Sequence, residues 1–252
     1  MLRIMTLNIN YYGTQHGPWE VRRRLIANAI AKARPEIVAL QAVAQDPAIA
    51  DGKDQATQLA DQVQGYPYHL FCPAQIHPDG RVEGMALLSS LPLSISHYRE
   101  LSLRPGLEDT NPRILLHARF DLPEGPFHLF NAHFSWVAEQ TQDNLNEVLP
   151  YSQTFAGSVV LVGDLNTAPE SPLMDQFRNE GWVDSWAARY PQEEGYTFVE
   201  GGKLCKRIDY VWVKDGLQSQ IKDVEIVVDE VTEEGFRASD HLGLLVTLDV
   251  KI

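Results

Sequence analysis

The strongest chemical signal in the sequence is a carboxylate and an amide placed two residues apart behind an apolar run. The run Val159–Val162 leads through one glycine to Asp164 and Asn166. Strand alternation places both side chains on the same side, where both can reach one oxygen atom. The carboxylate can accept a proton from water while the amide orients that water or a phosphoryl oxygen. An Asx-type turn, with Thr167 and Pro169 opening the next helix, is an equally good interpretation of these residues.

Asp240 and His241 form a second chemical pair, directly ahead of the last apolar segment. The carboxylate can bind a hard metal ion while the imidazole binds a substrate phosphate, although a polar loop explains the pair as well. Asp209 lies within an apolar strand, where an ionised carboxylate needs a partner. His241 fits that need, since a carboxylate fixes the imidazole tautomer and raises its basicity. A salt bridge from Asp209 to Arg207 is the structural alternative.

Two further strand ends carry side chains that suit phosphate chemistry. Asn131 and His133 close the apolar segment around Phe130, and Asn8 closes the first apolar segment of the chain. The carbonyl oxygen of an asparagine can ligate a metal ion. A lone histidine or a strand-end asparagine is also compatible with a structural role. Because five strand ends in one chain carry Asn, Asp or His, the pattern indicates that they meet in one site.

Most of the segments that must position these residues read as β-strands. Apolar runs rich in β-branched and aromatic residues, bounded by Gly, Pro or Asp, are typical of strands. They predict strands at residues 2–8, 36–41, 68–72, 83–89, 94–98, 113–120, 127–133, 158–162, 207–213, 221–228 and 242–250.

Helical periodicity is clearest in the stripe that starts at Val21 and ends at Ile30, ahead of Pro35. Further helices are predicted at residues 55–63, 137–149 and 171–180, and Pro150 is expected to end or kink the second of these. Strands outnumber helices by more than two to one, without regular βαβ alternation. The pattern therefore favours an α+β fold with two packed sheets over a single doubly wound sheet.

Length and composition point to an ordinary globular enzyme or binding protein. The 252 residues show no repeat or linker, so we expect one domain over residues 1–252. The net charge of −13 argues against an unspecific nuclease, which would usually carry a basic face, although metal ions can bridge to nucleic acid. The arginines at 22–24 suit a solvated helix face. No signal peptide or membrane segment is visible, so a cytoplasmic protein is expected, with a processed secreted form that has lost its signal peptide as the alternative.

In this order, the motifs resemble those of the endonuclease/exonuclease/phosphatase superfamily, the fold of pancreatic deoxyribonuclease. The resemblance spans the whole chain. It is carried by Asn8, Gln41-Ala42-Val43, the segment 83–89 that ends in Leu-Ser, Asn131–His133, Asp164–Asn166, Ile208-Asp209-Tyr210 and Ser239-Asp240-His241. It implies a four-layer α/β/β/α sandwich with two mixed, mainly antiparallel sheets and a site at one edge of the paired sheets.

The resemblance also implies catalytic roles. Asp164 would activate or orient the attacking water, with Asn166 beside it. His241, held by Asp209, and His133 would contact the scissile phosphate and stabilise its developing charge.

For the metal, the resemblance implies Mg²⁺ or Mn²⁺ near Asn8 and Asp240, polarising a phosphoryl oxygen and the leaving group. The main family ligand, the Glu of a Gln-Glu-Val motif, is replaced by Ala42. Since Mg²⁺ is often held by only one or two carboxylates, this loss removes much of the affinity. Gln41 should point to the opposite face of an extended strand. The polar pair Gln45-Asp46 follows, and nothing in the sequence shows that it reaches back.

Two explanations of Ala42 remain open: an engineered inactivating substitution, or a natural divergence that weakens or relocates the metal. The intact state of every other motif residue favours the first. In both cases we expect the metal site to be empty or weakly filled.

The substrate is less well defined by the sequence. Three aromatic residues in loops, Tyr11, Trp19 and Trp136, can stack on a base or line the binding site of an apolar leaving group. Each of them could equally pack against other parts of the protein. Glu83 stands beside Gly84 where lipid- and inositol-directed relatives tend to carry Lys-Gly. This difference argues against a phosphoinositide phosphatase or a membrane-inserting sphingomyelinase.

Three hypotheses follow. The first is a metal-dependent phosphoesterase that hydrolyses phosphodiester bonds, in nucleic acid or in a small molecule, by activated water. The second is a catalytically silent module that binds phosphate. The third is a phosphomonoesterase or sphingomyelinase-like hydrolase. The core motifs do not distinguish between their substrates, and the sequence leaves the oligomeric state open.

Overall fold

The computed structural model describes residues 1–214 and 216–252, and its main elements are two six-stranded sheets and five helices. The strands are β1 (Leu2–Asn8), β2 (Ile37–Gln45), β3 (Tyr68–Ile76), β4 (Val82–Ser89), β5 (Ile95–Leu101), β6 (Arg113–Leu122), β7 (Gly125–His133), β8 (Ser158–Asp164), β9 (Trp182–Asp184), β10 (Phe198–Glu200), β11 (Lys203–Lys206), β12 (Asp209–Lys214), β13 (Ile221–Val227) and β14 (Gly243–Leu248). The helices are α1 (Trp19–Ala33), α2 (Gln55–Gln62), α3 (Ala138–Ser152), α4 (Pro172–Asn179) and α5 (Ser185–Arg189), with 3₁₀ turns at Ala50–Gly52 and Gln218–Gln220.

Both large sheets are mixed, with one parallel pair near the centre of each. The first has the strand order β13-β14-β1-β2-β4-β3 and the second β5-β6-β7-β8-β12-β9. The parallel pairs are β1–β2, joined through α1, and β7–β8, joined through α3, and the other paired neighbours run antiparallel. The short strands β10 and β11 form a separate hairpin. The predicted α+β fold with mixed, mainly antiparallel sheets is confirmed.

Three apolar clusters define the layers. Side chains from both sheets, including Ile4 and Val162, form the cluster between the sheets. Helices α1 and α2 bury residues such as Ile26 and Leu59 on the outer face of the first sheet. Helices α3 and α4 cover the second sheet with residues such as Phe177. This arrangement is the expected four-layer α/β/β/α sandwich.

The elements differ from the predicted ones where they are short or interrupted. Strands β9, β10 and β11 and helix α5 have five residues or fewer, too few for apolar alternation or helical periodicity to register. Helix α3 runs past Pro150 to Ser152, because a proline in the last turn removes one hydrogen bond without blocking the final residues. Among the described residues, no helix combines the length and apolar character needed to cross a bilayer.

The backbones of β7 and β8 approach so closely at one point that only glycine fits there. Gly163 pairs with Ala132 in the parallel register, and Asp164 pairs with His133 one residue further on. A Cβ atom on Gly163 would lie 1.9 Å from the Ala132 carbonyl oxygen, and its φ of +138° is itself unfavourable for other residues. This glycine therefore sets the spacing between the strand ends that carry His133 and Asp164.

We expect Gly163→Ala to destabilise the fold and displace Asp164, because strand pairing must open to admit the Cβ atom. The matched control is Gly106→Ala, where φ is +84° and no atom lies within 4 Å of the new Cβ. Urea unfolding should show that Gly163→Ala loses at least about 2 kcal/mol more than Gly106→Ala. Equal losses in the two variants would contradict the close-approach argument.

Candidate active site

Strand alternation brings the predicted polar residues to one end of the space between the sheets. Along β1, β7, β8 and β12 the side chains that point between the sheets are apolar at the end of the strand away from the site, while Thr6 on β1 and Asn131 on β7 are polar. At one end of each strand the same face continues with a polar residue. These residues are Asn8 on β1, His133 on β7, Asp164 on β8 and Asp209 on β12.

The Asp164 carboxylate lies at the centre of the site. Its Oδ2 accepts a hydrogen bond from Asn8 Nδ2 at 2.9 Å, and its Oδ1 accepts one from the backbone N–H of Asn166 at 2.9 Å. The Nε2 atoms of His133 and His241 lie 3.4 and 3.6 Å from Oδ2. A single buried carboxylate is thus surrounded by an amide and two imidazoles from both sheets.

Asp209 binds His241, as the sequence suggested. His241 Nδ1 lies 2.9 Å from Asp209 Oδ2, whereas Arg207 pairs with a different carboxylate, Asp184, at 2.7 Å. The salt bridge from Asp209 to Arg207 is therefore absent. Burial favours the neutral form of His241, but the charges of Asp209 and Asp164 outweigh it and raise the pKa to about 9. At neutral pH this imidazole is a cation held between two carboxylates.

His133 has the opposite protonation. Burial lowers the pKa of His133 to about 3, with Arg113 adding to the effect and Asp164 opposing it. The two histidines beside Asp164 are therefore one neutral and one protonated at neutral pH. Such a pair can supply a hydrogen-bonding group and a proton donor on neighbouring sides of one carboxylate.

The Asx turn considered for Asp164 and Asn166 is present, and their catalytic role stays a prediction. The Asp164 side chain accepts from the Asn166 backbone, which is an Asx turn, and Asn166 has a φ of +50°. The Asn166 Nδ2 donates to the Phe134 carbonyl at 2.9 Å. The carbonyl oxygen of that amide and the second N–H of its Nδ2 are left to orient water or substrate.

At the position expected for a metal, Asn8 and Asp240 are joined by a residue that the sequence analysis overlooked. The Asn10 backbone N–H donates to Asn8 Oδ1 at 2.9 Å, and Asn10 Nδ2 donates to Asp240 Oδ1 at 3.0 Å. Ser239 Oγ lies 3.1 Å from the same Oδ1, while Oδ2 lies 3.8 Å from His16 Nε2. Asp240 therefore keeps one carboxylate oxygen that forms no short hydrogen bond.

Ala42 sits in a β-bulge of β2. The register of β2 against β4 shifts between Leu40 and Val43, and Ala42 has a φ of +51°. Its carbonyl accepts a hydrogen bond from the Tyr11 backbone N–H at 2.7 Å, and the residue is 2 % exposed. The loop after β1 thus lies directly against the position of the missing glutamate.

The polar neighbours of Ala42 do not replace the missing carboxylate. Gln41 Nε2 donates to Thr6 Oγ1 at 2.9 Å and to Asn131 Oδ1 at 2.6 Å, in the layer between the sheets. Gln45 donates to a carbonyl of the following 3₁₀ turn at 2.6 Å. Asp46 accepts from a backbone N–H two residues on, at 2.8 Å.

Asp164, Asp209 and His241 are the group of described residues that could hold a metal ion, with ligand atoms within 4.8 Å of one another. A cation there would compete with the proton of His241, whose Nδ1 is already bonded to Asp209. At the position implied by the resemblance, the donors are one free oxygen of Asp240 and an Asn8 amide whose oxygen is already bonded to Asn10. This donor set does not fit a firmly held Mg²⁺ or Mn²⁺, which prefer carboxylate oxygens.

Arg113, which the sequence analysis did not select, is a buried cation beside the site. Its Nη2 binds Asp109 Oδ2 at 2.7 Å, and its guanidinium lies 5.7 Å from the centre of the half-exposed Trp136 ring. Arg113 Nε is buried without a hydrogen-bond partner among the described residues. Arg113 lines one cavity with Tyr11 and His133. A buried arginine that lines a cavity and has an unused donor suits an anionic ligand.

The other aromatic residues predicted to contact substrate differ in position. Trp19 is 7 % exposed, donates from Nε1 to Gln58 at 2.8 Å and packs edge-on against Tyr12. This burial corrects the expectation of a substrate contact at Trp19, because the indole is used in packing between α1 and α2. Tyr11 lines the cavity and Trp136 lies against the Arg113 guanidinium, and both keep their predicted roles as proposals.

Arg22 also corrects an expectation, because the cluster 22–24 was expected to be a solvated helix face. Arg22 is 0 % exposed, and its guanidinium donates to the carbonyls of Ala238 at 2.8 Å and Gly13 at 2.6 Å, and to those of Ile9 and Tyr11. Burial lowers its pKa to about 10, with Asp240 opposing the shift. Arg22 lies on the buried face of α1 beside Leu25 and Ile26, but this position alone does not distinguish a buried from a solvated guanidinium.

Known proteins resemble this chain over nearly its whole length. The family model described as "Endonuclease/Exonuclease/phosphatase family" matches residues 5–241. A family protein from Leptotrichia buccalis is similar in structure, with a TM-score of 0.80, 18% identity, and coverage of 99% of this chain and 100% of the other. A mannosyl-6-phosphatase from Bacteroides thetaiotaomicron has a TM-score of 0.76 and 17% identity, with coverage of 98% of this chain and 99% of the other. A Neisseria 3′ phosphatase bound to product DNA hairpin has a TM-score of 0.71 and 19% identity, with coverage of 99% of this chain and 100% of the other. A comparison with curated protein sequences gave no match.

We expect Arg22→Met to unfold at markedly lower urea concentration than the parent protein. The substitution leaves several buried carbonyl groups without donors, which should cost at least about 2 kcal/mol. Arg24→Met, at an exposed position on the same helix, is the matched control and should change stability by less than about 0.5 kcal/mol. Similar urea midpoints for the two variants would show that the buried guanidinium is dispensable.

Proposed function

Since the chain belongs to the endonuclease/exonuclease/phosphatase family, we propose that it hydrolyses phosphoester bonds with water activated by Asp164. The observation that carries this proposal is the meeting of two differently protonated histidines on one buried carboxylate. A catalytically silent module that binds phosphate would need a positively charged group, but it would not need a base and an acid beside each other.

In the proposed reaction, the attacking water lies against Asp164, which takes its proton. The water oxygen forms the new bond to phosphorus, and the bond from phosphorus to the ester oxygen breaks. The ester oxygen leaves with the bonding electron pair and takes a proton from the His241 imidazolium, which Asp209 keeps in place. Neutral His133 donates a hydrogen bond to a phosphoryl oxygen, where negative charge develops.

We further propose that a divalent cation binds this chain only weakly. When bound in such sites, Mg²⁺ or Mn²⁺ polarises phosphoryl oxygens. Here Asp240 and Asn8 offer too few free oxygens to hold it without added ligands from substrate and water. None of the proposed steps therefore passes through the metal.

For the substrate, a phosphodiester of a small molecule is our first proposal. The net charge of −13 supports it over nucleic acid, since a polyanion would be repelled by most of the surface. Two structurally similar proteins are named as phosphatases, so a phosphomonoester is the second candidate. The half-exposed Trp136 beside Arg113 offers an apolar wall for the leaving group in both cases.

The test is hydrolysis of bis(p-nitrophenyl) phosphate and p-nitrophenyl phosphate by the parent protein and by Asp164→Asn. We expect the variant to lose at least about 100-fold in kcat, because an amide cannot accept the proton of water. Tyr68→Phe, an exposed change outside the site, is the control. Equal rates for the parent protein and Asp164→Asn would contradict the role of Asp164, and the ratio of the two substrates ranks diester against monoester.

We expect Ala42→Glu to bind Mn²⁺ roughly 10–100-fold more tightly than the parent protein, the range over which supporting groups change metal affinity. The added carboxylate supplies the oxygen ligands that the site lacks. Isothermal titration with Mn²⁺ in the absence of substrate measures this directly. Ala42→Gln is the matched control, because it has the same length without the charge and should show a much smaller gain.

A further inference from the structure

The loop over Ala42 brings a phenol into the site. Asn10 and Tyr11 both have positive φ, at +51° and +42°, which is unfavourable for residues with side chains. Hydrogen bonds hold the loop in this form: the Tyr11 N–H donates to the Ala42 carbonyl, and Arg22 binds the Tyr11 carbonyl. A strained backbone retained by several contacts suggests that the side chain it places has a function.

Tyr11 lines a cavity together with His133, Arg113 and Glu83. Its hydroxyl forms no hydrogen bond with the residues that the structure describes. Burial, with the charges of Glu83, Asp164 and Asp109, raises the pKa of Tyr11 to about 12, and Arg113 opposes the shift. The phenol is therefore neutral and lies in the electrostatic field of the active-site carboxylate.

Arg113 supplies a second, independent indication of a ligand at this place. Its Nε is buried without a partner, although its Nη2 is held firmly by Asp109. An arginine that lines a cavity, is fixed at one end and has an unused donor is suited to one oxygen of an anion. Tyr11 and Arg113 thus offer two donors that the protein itself does not satisfy.

We propose that the Tyr11 hydroxyl, together with Arg113, takes over the charge-stabilising task that a divalent cation performs in metal-dependent sites, so that this chain hydrolyses phosphoesters without a metal. The hydroxyl donates a hydrogen bond to a nonbridging phosphoryl oxygen, and Arg113 Nε donates to the same phosphoryl group. Two fixed donors at the place where charge develops stabilise the transition state more than the ground state. This inference rests on the proposed hydrolysis by Asp164.

The proposed role of Tyr11 adds no reactant and no product to the hydrolysis. One water is consumed, its oxygen bonds to phosphorus and its proton passes to Asp164. The ester oxygen leaves with the bonding pair and takes its proton from His241. Tyr11 keeps its own proton throughout and acts only as a hydrogen-bond donor.

The test is the kcat for bis(p-nitrophenyl) phosphate in EDTA, measured for the parent protein, Tyr11→Phe and Tyr12→Phe. We expect Tyr11→Phe to lower kcat about 100-fold, the typical effect of removing one donor to a developing oxyanion, with a smaller change in KM. Tyr12→Phe removes a hydroxyl from the next residue, where it binds Gln58 at 2.8 Å, and should leave kcat within about threefold. Thermal unfolding of each variant reports whether the fold is intact.

A second comparison separates a chemical from a structural role. In Ala42→Glu with Mn²⁺ the cation should make the hydroxyl redundant, so adding Tyr11→Phe should cost less than about threefold. A purely structural loss would persist there, and would overturn the proposal.

The remaining outcomes are also decisive. Activity that EDTA abolishes, or a Tyr11→Phe variant with the parental rate in EDTA, overturns the role of Tyr11 while hydrolysis by Asp164 stands. If the parent protein and Ala42→Glu hydrolyse neither ester with or without Mn²⁺, the proposed function fails, and the role of Tyr11 fails with it.

Discussion

The buried guanidinium of Arg22 is the interaction on which the site's loops depend. The chain between β1 and α1 has no regular structure, so its carbonyl groups need donors from elsewhere. The planar fork of one arginine provides several donors in fixed directions and binds carbonyls from Ile9 to Gly13. The same group also binds the Ala238 carbonyl, next to the segment that carries Asp240 and His241. Two loops that are more than 200 residues apart in sequence are thereby tied to one point on α1.

Hydrogen bonds of Asn10 and Asn8 connect the loop that Arg22 holds to the proposed catalytic groups. Asn10 joins the loop to Asp240, and Asn8 joins the end of β1 to Asp164 on the second sheet. Below them, Gln41 and Asn131 bind each other across the two sheets. The site is therefore built across the interface of the sheets, and sliding of one sheet against the other would break several of these hydrogen bonds at once. Such coupling suits a reaction that needs donors fixed before charge develops.

The sequence predicted what depends on local periodicity, and it failed where tertiary contacts decide. The strand-end pattern and the family resemblance grouped Asn8, His133, Asp164 and Asp209, and the two-residue period of each strand accounts for their shared face. The burial of Arg22 could not be predicted in this way, since a guanidinium among apolar helix residues is equally compatible with solvent. The β-bulge at Ala42 interrupts the two-residue alternation on which such a prediction depends.

The charged groups of the site are balanced with an alanine at position 42. The His241 imidazolium lies between Asp209 and Asp164, and Asp109 is neutralised by Arg113. Asp240 lies in the field of Arg22. Each of these carboxylates thus has a cationic neighbour supplied by the protein. A glutamate at position 42 would add a buried negative charge for which none of the described contacts offers a partner, and an unpaired buried charge is costly unless a metal ion neutralises it. Alanine removes that requirement, so the site can remain electrostatically stable when no divalent cation is bound.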